Sequence, residues 1–173
     1  MKRLLTTLVI LTGLFAPSLA VAEEGVKYGD LVERGGIFYK KFTDEPFTGK
    51  TEGLKQYTYR RGKKHGPSVS YHDNGQLRWK GTYKDGKPEG PSVWYHENGQ
   101  LRWKGTYENG KEEGPWVSYH ANGQLWWKGT WKDGMREGPW VFYYKGGTKD
   151  TKGKGSKKHE GTGTYRKGKK VSD

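Results

Sequence analysis

The chain has 173 residues with a formal net charge of +13, no cysteine and a hydrophobic content of 31%. The lack of cysteine excludes disulfide staples and the lipidated cysteine of a bacterial lipoprotein, and the low hydrophobic content excludes a conventional two-layer core. Because aromatic residues make up 14% of the chain and there are 28 glycines, the composition predicts many short strands and tight turns around a thin aromatic core.

The first 22 residues have the pattern of a secretory signal peptide. Lys2 and Arg3 give a positive start, residues 4–15 are mostly apolar, and a small-residue motif ends at Ala22. The apolar run is shorter than the roughly 20 residues of a transmembrane helix. We therefore predict cleavage after Ala22 and a mature chain without a transmembrane anchor, exported to a bacterial periplasm or secreted.

Residues 23–56 form a lead-in segment, after which the sequence repeats every 24 residues. Four Gly-Pro pairs mark this period and begin at Gly66, Gly90, Gly114 and Gly138. Repeats of this length predict a stacked array in which no unit is stable without its neighbours. We assign residues 57–144 to the array, including partial copies at both ends.

A Lys/Gly-rich tail covers residues 145–173 and carries ten basic and three acidic residues. Within it, the sequence GTYRKGK from Gly163 is similar to GTYKDGK from Gly81, which ends a repeat. The tail is therefore predicted to contain a final degenerate hairpin after an insertion. Its charge favours contact with polyanions through a screened field, and the alternative is that it keeps the sheet soluble.

Two turn signals occur in each repeat, and in the first clean copy they are Asn74-Gly75 and Asp85-Gly86. Glycine tolerates the positive φ that tight hairpin turns require. Two turns per repeat give two strands per repeat. The predicted fold is therefore all-β, a single-sheet array of repeated antiparallel β-hairpins with a 24-residue period.

The length of the turn loops decides which side chains share a face of the sheet. A three-residue loop, which we predict at both turns, places Tyr71 opposite Leu77. At the second turn it places Trp79 opposite Pro91. This register gathers the apolar side chains on the odd-numbered face, whereas a two-residue loop at the first turn would mix polar and apolar side chains on both faces. The predicted core residues are Leu77, Trp79, Tyr83, Val93, Tyr95, Leu101, Trp103, Tyr107, Val117, Tyr119, Leu125, Trp127 and Trp131.

The pattern G-x-W/S-V-x-Y-x-x-N-G-Q-L-x-x-K-G-x-Y-x-x-G-K recurs in three clean copies. It resembles the bacterial variant of the MORN repeat (membrane occupation and recognition nexus), which is grouped with YwqK-like antitoxin proteins. The segment LVERGGIFYKKFTDEPFTGKTEG is similar to the lead-in found ahead of such arrays. The resemblance implies an all-β repeat array that serves as an interaction scaffold.

One histidine and one glutamate recur at equivalent positions of the repeats. These ladders consist of His72, His96 and His120, and of Glu89, Glu113 and Glu137. Equivalent residues lie two strand spacings apart, at least ~9.6 Å, whereas the ligands of one zinc ion lie about 2 Å from the metal. An active site needs an unlike group for each role, and here every position is copied. We therefore expect no catalytic residue, no metal site, no cofactor and no enzymatic activity.

The even-numbered face is predicted to change from polar to aromatic along the array. Ser68, for example, is replaced by Trp116 and Trp140 at the equivalent positions. The predicted register also places Arg102 between Trp94 and Trp116, in reach of cation–π contact. An exposed apolar patch marks an interaction site, and the alternative is that another segment of the chain covers it. The predicted binding residues are Trp94, Arg102, Lys104, Trp116, Trp126, Lys128, Trp140 and Phe142.

Two classes of function follow from these observations. In the first, the exported chain is a non-catalytic repeat scaffold that binds a protein partner, such as an envelope component or a secreted toxin, through its aromatic sheet face. In the second, aromatic and basic residues bind an anionic lipid, lipopolysaccharide or glycan at the envelope surface. Nucleic acid is not expected as the partner of an exported protein.

Overall fold

The computed structural model of the protein describes residues 25–150 and 161–172, so the predicted signal peptide lies outside the described residues. A 3-10 helix, Tyr28–Asp30, precedes the strands. The strands are β1 (Leu31–Arg34), β2 (Ile37–Lys40), β3 (Gly49–Lys50), β4 (Lys55–Gln56), β5 (Thr58–Arg60), β6 (Lys63–Lys64), β7 (Gly66–Tyr71), β8 (Leu77–Lys84), β9 (Lys87–Tyr95), β10 (Leu101–Glu108), β11 (Lys111–Tyr119), β12 (Leu125–Lys132), β13 (Met135–Phe142), β14 (Gly163–Arg166) and β15 (Lys169–Ser172). Within residues 25–150 and 161–172, no helix has the length and apolar character needed to cross a bilayer.

Ten of these strands form one sheet in the order β15-β14-β13-β12-β11-β10-β9-β8-β7-β4. Neighbouring strands run antiparallel, and each 24-residue repeat contributes two of them. Two smaller sheets, β1-β2 and β3-β5-β6, are formed by the N-terminal part of the described chain. The predicted fold class, an all-β array of consecutive antiparallel hairpins, is confirmed.

The Asn-Gly turn of each repeat has the predicted three-residue loop. In the first copy the His72 N–H donates to the Gln76 carbonyl at 2.8 Å and the Gly75 N–H donates to the His72 carbonyl at 2.9 Å. Gly75 has a φ of 82°, which the bulge that closes such a loop requires. The predicted pairing of Tyr71 with Leu77 is confirmed.

The Asp-Gly turn has a two-residue loop, so the prediction of three residues is wrong here. Lys84 pairs with Lys87, and the two residues between them, Asp85 and Gly86, have φ values of 49° and 88°. Two successive positive φ values define the primed turn whose twist matches that of the flanking strands. The register then shifts by two residues between Thr82 and Lys80, so Trp79 pairs with Trp94 and not with the predicted Pro91.

A bulge beside the Asn-Gly loop also changes which side chains share a face. After the pair of Tyr71 with Leu77, the next pair is Ser70 with Trp79, which leaves Arg78 as the extra residue. Paired residues point to the same side of a sheet. Even-numbered residues of β7 and β9 therefore lie beside odd-numbered residues of β8.

The predicted division into an odd apolar face and an even polar face is consequently wrong. One side of the sheet, the aromatic face, carries Trp79, Tyr83, Trp94, Trp103, Tyr107, Trp116, Trp127, Trp131, Trp140, Phe142 and Tyr165. Val93 and Val117 alternate with these side chains along their strands and point to the other side, the valine face. The remaining predicted core residues form half-buried Tyr–Leu pairs beside the Asn-Gly loops, and these residues are Leu77, Tyr95, Leu101, Tyr119 and Leu125.

The most deeply buried side chains lie at the C-terminal end of the aromatic face. Trp140, Phe142 and Tyr165 are each 1% exposed and pack together, with Trp127 and Trp131 against them. Tyr165 belongs to β14, which pairs with β13 and extends the sheet beyond the repeats. This part of the tail is therefore a structural element that completes the core.

The N-terminal segment continues the aromatic packing at the other end. The ring of Tyr57 lies 6.1 Å from that of Trp79, and the ring of Tyr59 lies 5.2 Å from Phe38 and 5.5 Å from Phe47. Tyr59 is 2% exposed, and this burial raises the pKa of its hydroxyl well above the ordinary value. The lead-in and the final hairpin thus close the two ends of the aromatic face.

Candidate functional site

The histidine ladder joins successive Asn-Gly loops. The Nε2–H of His72 donates to the Tyr95 carbonyl at 3.0 Å, one repeat further on. His96 and His120 make the same hydrogen bond to the carbonyls of Tyr119 and Tyr143. Among residues 25–150 and 161–172, no group of acidic or histidine side chains could hold a metal ion.

The glutamate ladder fixes the Asp-Gly turns and their equivalents. Glu89 accepts from the backbone N–H of Asn109 at 2.8 Å, and Glu113 accepts from that of Asp133 at 2.8 Å. Because Asn109 and Asp133 have positive φ, their conformations are strained and the carboxylates stabilise them. The glutamate carboxylates are therefore occupied by backbone hydrogen bonds that stabilise the turns.

Several predicted binding residues are buried in the aromatic face and do not form an exposed patch. Trp116 is 6% exposed, and Trp140 and Phe142 are 1% exposed. These side chains fill the core between strands because the two-residue turns before β11 and β13, with a register shift in each strand pair, bring them beside Trp103 and Trp127. The prediction that these three side chains form an exposed patch is wrong.

The predicted cation–π stack around Arg102 is also wrong. The ring of Trp94 stacks on Trp103 at 5.3 Å, and the guanidinium above Trp94 is that of Arg78, at 5.5 Å. Arg78 takes this place because it is the extra residue of the bulge before Trp79.

Trp126 is half-buried and packs against the imidazole of His120 at 5.5 Å between ring centroids. Trp126 therefore lies beside an Asn-Gly loop and is not part of the buried cluster around Trp140.

Lys104 and Lys128, in contrast, lie on the valine face and border a groove of about 620 Å³. The groove crosses β9 to β13. Its lining includes three prolines, three valines, two threonines and the two lysines: Pro91, Val93, Lys104, Thr106, Pro115, Val117, Lys128, Thr130, Pro139 and Val141.

The valines and lysines of this groove form a straight row across the sheet. Lys104 pairs with Val93 on one side and with Val117 on the other. Lys128 pairs in the same way with Val117 and Val141. Since neighbouring strands lie about 4.8 Å apart, a lysine recurs about every 9.6 Å along the row.

The charged side chains that line the groove are the two lysines, and Glu113 and Glu137 lie beside its Thr106 and Thr130 on the neighbouring strands. Lys104 and Lys128 are exposed, and no carboxylate is among the side chains that line the groove. The half-buried valines supply an apolar floor. Such a surface can bind a chain that combines apolar side chains with negative charge.

The sequence contained a signal for this groove. Proline, valine, lysine and threonine recur at fixed positions of each repeat, and a two-residue Asp-Gly turn places them on the same side of the sheet. The three-residue loop instead placed Val93 with the tryptophans, and the valine row was missed.

Comparison with known protein families agrees with this architecture. The model of the MORN repeat variant family matches residues 64–85, 88–111 and 112–133. A search of curated proteins found no match. The matched stretches contain β7 to β12. The chain therefore contains three repeats of this kind, which indicate a repeat scaffold.

Proposed function

We propose that this chain is an exported, non-catalytic repeat scaffold that binds a protein partner through the groove of the valine face. The observation that carries the proposal is the row of alternating valine and lysine across five strands. The partner contributes an extended segment with apolar and acidic side chains. It is an envelope component or a secreted protein, in keeping with the predicted signal peptide.

The geometry of the row suggests how such a segment runs. Lysines recur about every 9.6 Å across the strands, and three residues of polyproline II conformation span about 9.3 Å. A segment in that conformation, laid perpendicular to the strands, meets one lysine with every third residue. An acidic residue at each third position would therefore pair with Lys104 and Lys128 while its neighbours contact the valines.

The aromatic face is the weaker candidate for this role. Its largest side chains are already packed against one another, as in the stack of Trp103 between Trp94 and Trp116. A partner on that face would meet a surface whose apolar area is already partly buried. The valines of the groove keep part of their surface exposed, so binding there removes apolar surface from water.

Anionic lipid or lipopolysaccharide is the alternative ligand, and the net charge of +13 favours it. A protein segment and an anionic lipid differ in whether they need contact with the valines of the groove. Lipid phosphate is attracted by lysine charge at long range, whereas a protein segment also needs the apolar floor.

The test is site-specific photocrosslinking in an envelope extract. A photoreactive phenylalanine analogue placed at Thr106 of the mature chain, at the rim of the groove, should capture a protein whose crosslinked peptide is acidic. The same analogue at Phe42, which is fully exposed in the N-terminal segment, should not capture it. Vesicles of anionic phospholipid are tested in parallel by sedimentation.

Two double variants separate charge in the groove from charge elsewhere. Lys104→Glu with Lys128→Glu should abolish the capture at Thr106, whereas Lys41→Glu with Lys63→Glu makes the same change in charge outside the groove and should leave it intact. Equal loss in both double variants, or vesicle binding without any acidic protein captured, would contradict the proposal and favour the lipid alternative.

A further inference from the structure

Positions 64, 88, 112 and 136 are equivalent in the repeat, but their residues differ in charge. They are Lys64, Pro88, Glu112 and Arg136. The first and last are cations that lie over aromatic rings at the two ends of the aromatic face. The two middle positions carry no cation.

The cation at the N-terminal end is held by three rings. The Lys64 ammonium lies 5.7 Å from the ring centroid of Phe38, 4.3 Å from that of Tyr57 and 5.2 Å from that of Tyr83. Lys64 is half-buried, and this burial lowers the pKa of its ammonium group.

The cation at the C-terminal end is held in the same way. The Arg136 guanidinium lies 4.9 Å from Trp140, 5.4 Å from Phe142 and 5.2 Å from Tyr165. Tyr83 and Tyr165 are equivalent, because they pair with Gly66 and Gly138, the glycines two residues after each cation. The fold therefore builds a cation-binding arrangement of rings at both ends.

Part of the same arrangement exists around position 112, where the residue is a carboxylate and Ser118 replaces the ring of Phe142. Gly114, two residues after Glu112, pairs with Trp131, so Trp131 stands where Tyr83 and Tyr165 stand at the ends. Trp116 stands where Trp140 stands, and Tyr107 pairs directly with Glu112. The strand pairing thus makes three aromatic residues neighbours of a negative charge, at the place where the ends hold a positive one.

The groups around position 112 have unused binding capacity. The Glu112 carboxylate makes no hydrogen bond or ion pair with any described residue. The indole N–H of Trp131 is buried and has no acceptor within the described part of the chain. Glu112, Tyr107 and Trp131 are each half-buried, so the rim of the arrangement is open to solvent.

We propose that Tyr107, Trp116, Trp131 and Glu112 form a binding site for an organic cation supplied by a ligand. An alkylammonium or guanidinium group would lie over these rings, where the cation–π attraction acts, with Glu112 as its counter-ion. The equivalent place in the preceding unit has no such site, because Pro88 pairs with Tyr83 there and brings no charge.

Titration of the mature chain with choline and with arginine amide tests this site. Two-dimensional NMR would follow the indole N–H signal of Trp131, assigned through Trp131→Phe. Saturable movement of that signal is expected with at least one cation. Stronger binding of choline indicates a quaternary ammonium group as the natural ligand, and stronger binding of arginine amide indicates a guanidinium side chain.

Three variants test whether cation binding depends on the Glu112 carboxylate. Glu112→Gln keeps the size of the side chain and should weaken binding about tenfold, because it removes the counter-ion. Glu112→Arg places a cation in the rings, as at Arg136, and should abolish binding while the fold persists by circular dichroism. Glu97→Gln, at an exposed loop position, should bind as the parent does.

The proposal is overturned by either of two results. One is the absence of any saturable change at Trp131 in the parent chain with both cations. The other is equal affinity of the Glu112→Gln and Glu97→Gln variants, since the carboxylate would then have no part in binding.

Discussion

The indole ring of Trp116 lies directly against the backbone of Gly105, and a Cβ on that glycine would overlap the ring. The indole N–H donates to the carbonyl of Thr106 at 3.2 Å, which fixes the ring in this place. Trp140 has the same relationship to Gly129 and Thr130. The glycine of the repeated Lys-Gly-Thr sequence is therefore required by the tryptophan of the next strand.

Gly105→Ala should destabilise the fold by about 1–3 kcal/mol, the usual cost of overpacking a well-filled core. The cost arises because Trp116 must move or the strand must shift to admit the methyl group. Chemical denaturation followed by tryptophan fluorescence measures the loss. Gly146→Ala is the control, since nothing lies within 4 Å of a Cβ at Gly146 and its φ is not positive. Equal stability of the two variants would contradict the close contact.

Trp140→Ser should destabilise the protein by about 3–5 kcal/mol, as other large-to-small changes of buried aromatic residues do. Trp140 is 1% exposed and packs against Phe142, Trp131 and Tyr165. The loss is expected although Ser68 and Ser92 occupy the equivalent positions in earlier repeats, because those serines lie beside different neighbours.

The matched control for that experiment is Trp126→Ser. Trp126 is half-buried and contacts the ring of His120, so its removal should lower the melting temperature much less. A similar loss of stability in both variants would contradict the assignment of Trp140 to the core and Trp126 to the loop side.

The fold class was predictable from the sequence, whereas the faces of the sheet were not. The 24-residue period and the two turn signals per repeat can be read directly from the repeated residues. They predicted the hairpin array and the Asn74-Gly75 loop correctly. The face on which a side chain lies depends on the exact number of residues in each loop. Because side chains alternate along a strand, one residue more or less moves every later side chain to the opposite face. An Asp-Gly pair fits either a two-residue primed turn or a three-residue loop with a bulge, and apolar grouping favoured the wrong one.

The candidate site shows the same limit. Lys104 and Lys128 were predicted to flank a binding surface, and the structure places both at the groove. Trp116 and Trp140, which were predicted to lie between them, lie on the other side of the sheet. The two-residue turns before β11 and β13 and the bulges beside the Asn-Gly loops together move them, and neither feature has a reliable signature in one sequence.

Alkaline pH should destabilise the fold through buried tyrosines. Burial raises the pKa of Tyr83 to about 12, with contributions from Tyr57 and Tyr28. Burial also raises the pKa of Tyr107 to about 12, and the charge of Glu112 adds to this effect. Between the ordinary value of 10.0 and about 12, the unfolded chain has released these protons and the folded chain has kept them. Stability is therefore complete below that range and falls as pH rises through it.

Spectrophotometric titration of tyrosinate absorbance tests this expectation. A late step near pH 12 should accompany loss of the folded signal, and Tyr107→Phe should reduce the amplitude of that late step. One single transition centred near the ordinary pKa of 10.0, with the fold still intact by circular dichroism, would contradict it.

The Asn-Gly loops of successive repeats are tied to one another by an asparagine side chain, and this tie should be measurable. The Asn98 amide donates to the Ala121 carbonyl at 2.7 Å, and its oxygen accepts from the Gln100 N–H at 3.1 Å. Asn98→Ala removes both hydrogen bonds and should cost about 1–3 kcal/mol in a denaturation experiment, at about 0.5–1.5 kcal/mol each. Asn98→Asp keeps the acceptor but loses the donor, so its stability should also lie below that of the parent.

Asp73→Ala is the control, because the side chain of Asp73 is exposed and the third repeat has Ala121 at this place. If Asn98→Ala were as stable as Asp73→Ala, the asparagine hydrogen bonds between successive loops would not contribute to the free energy of unfolding.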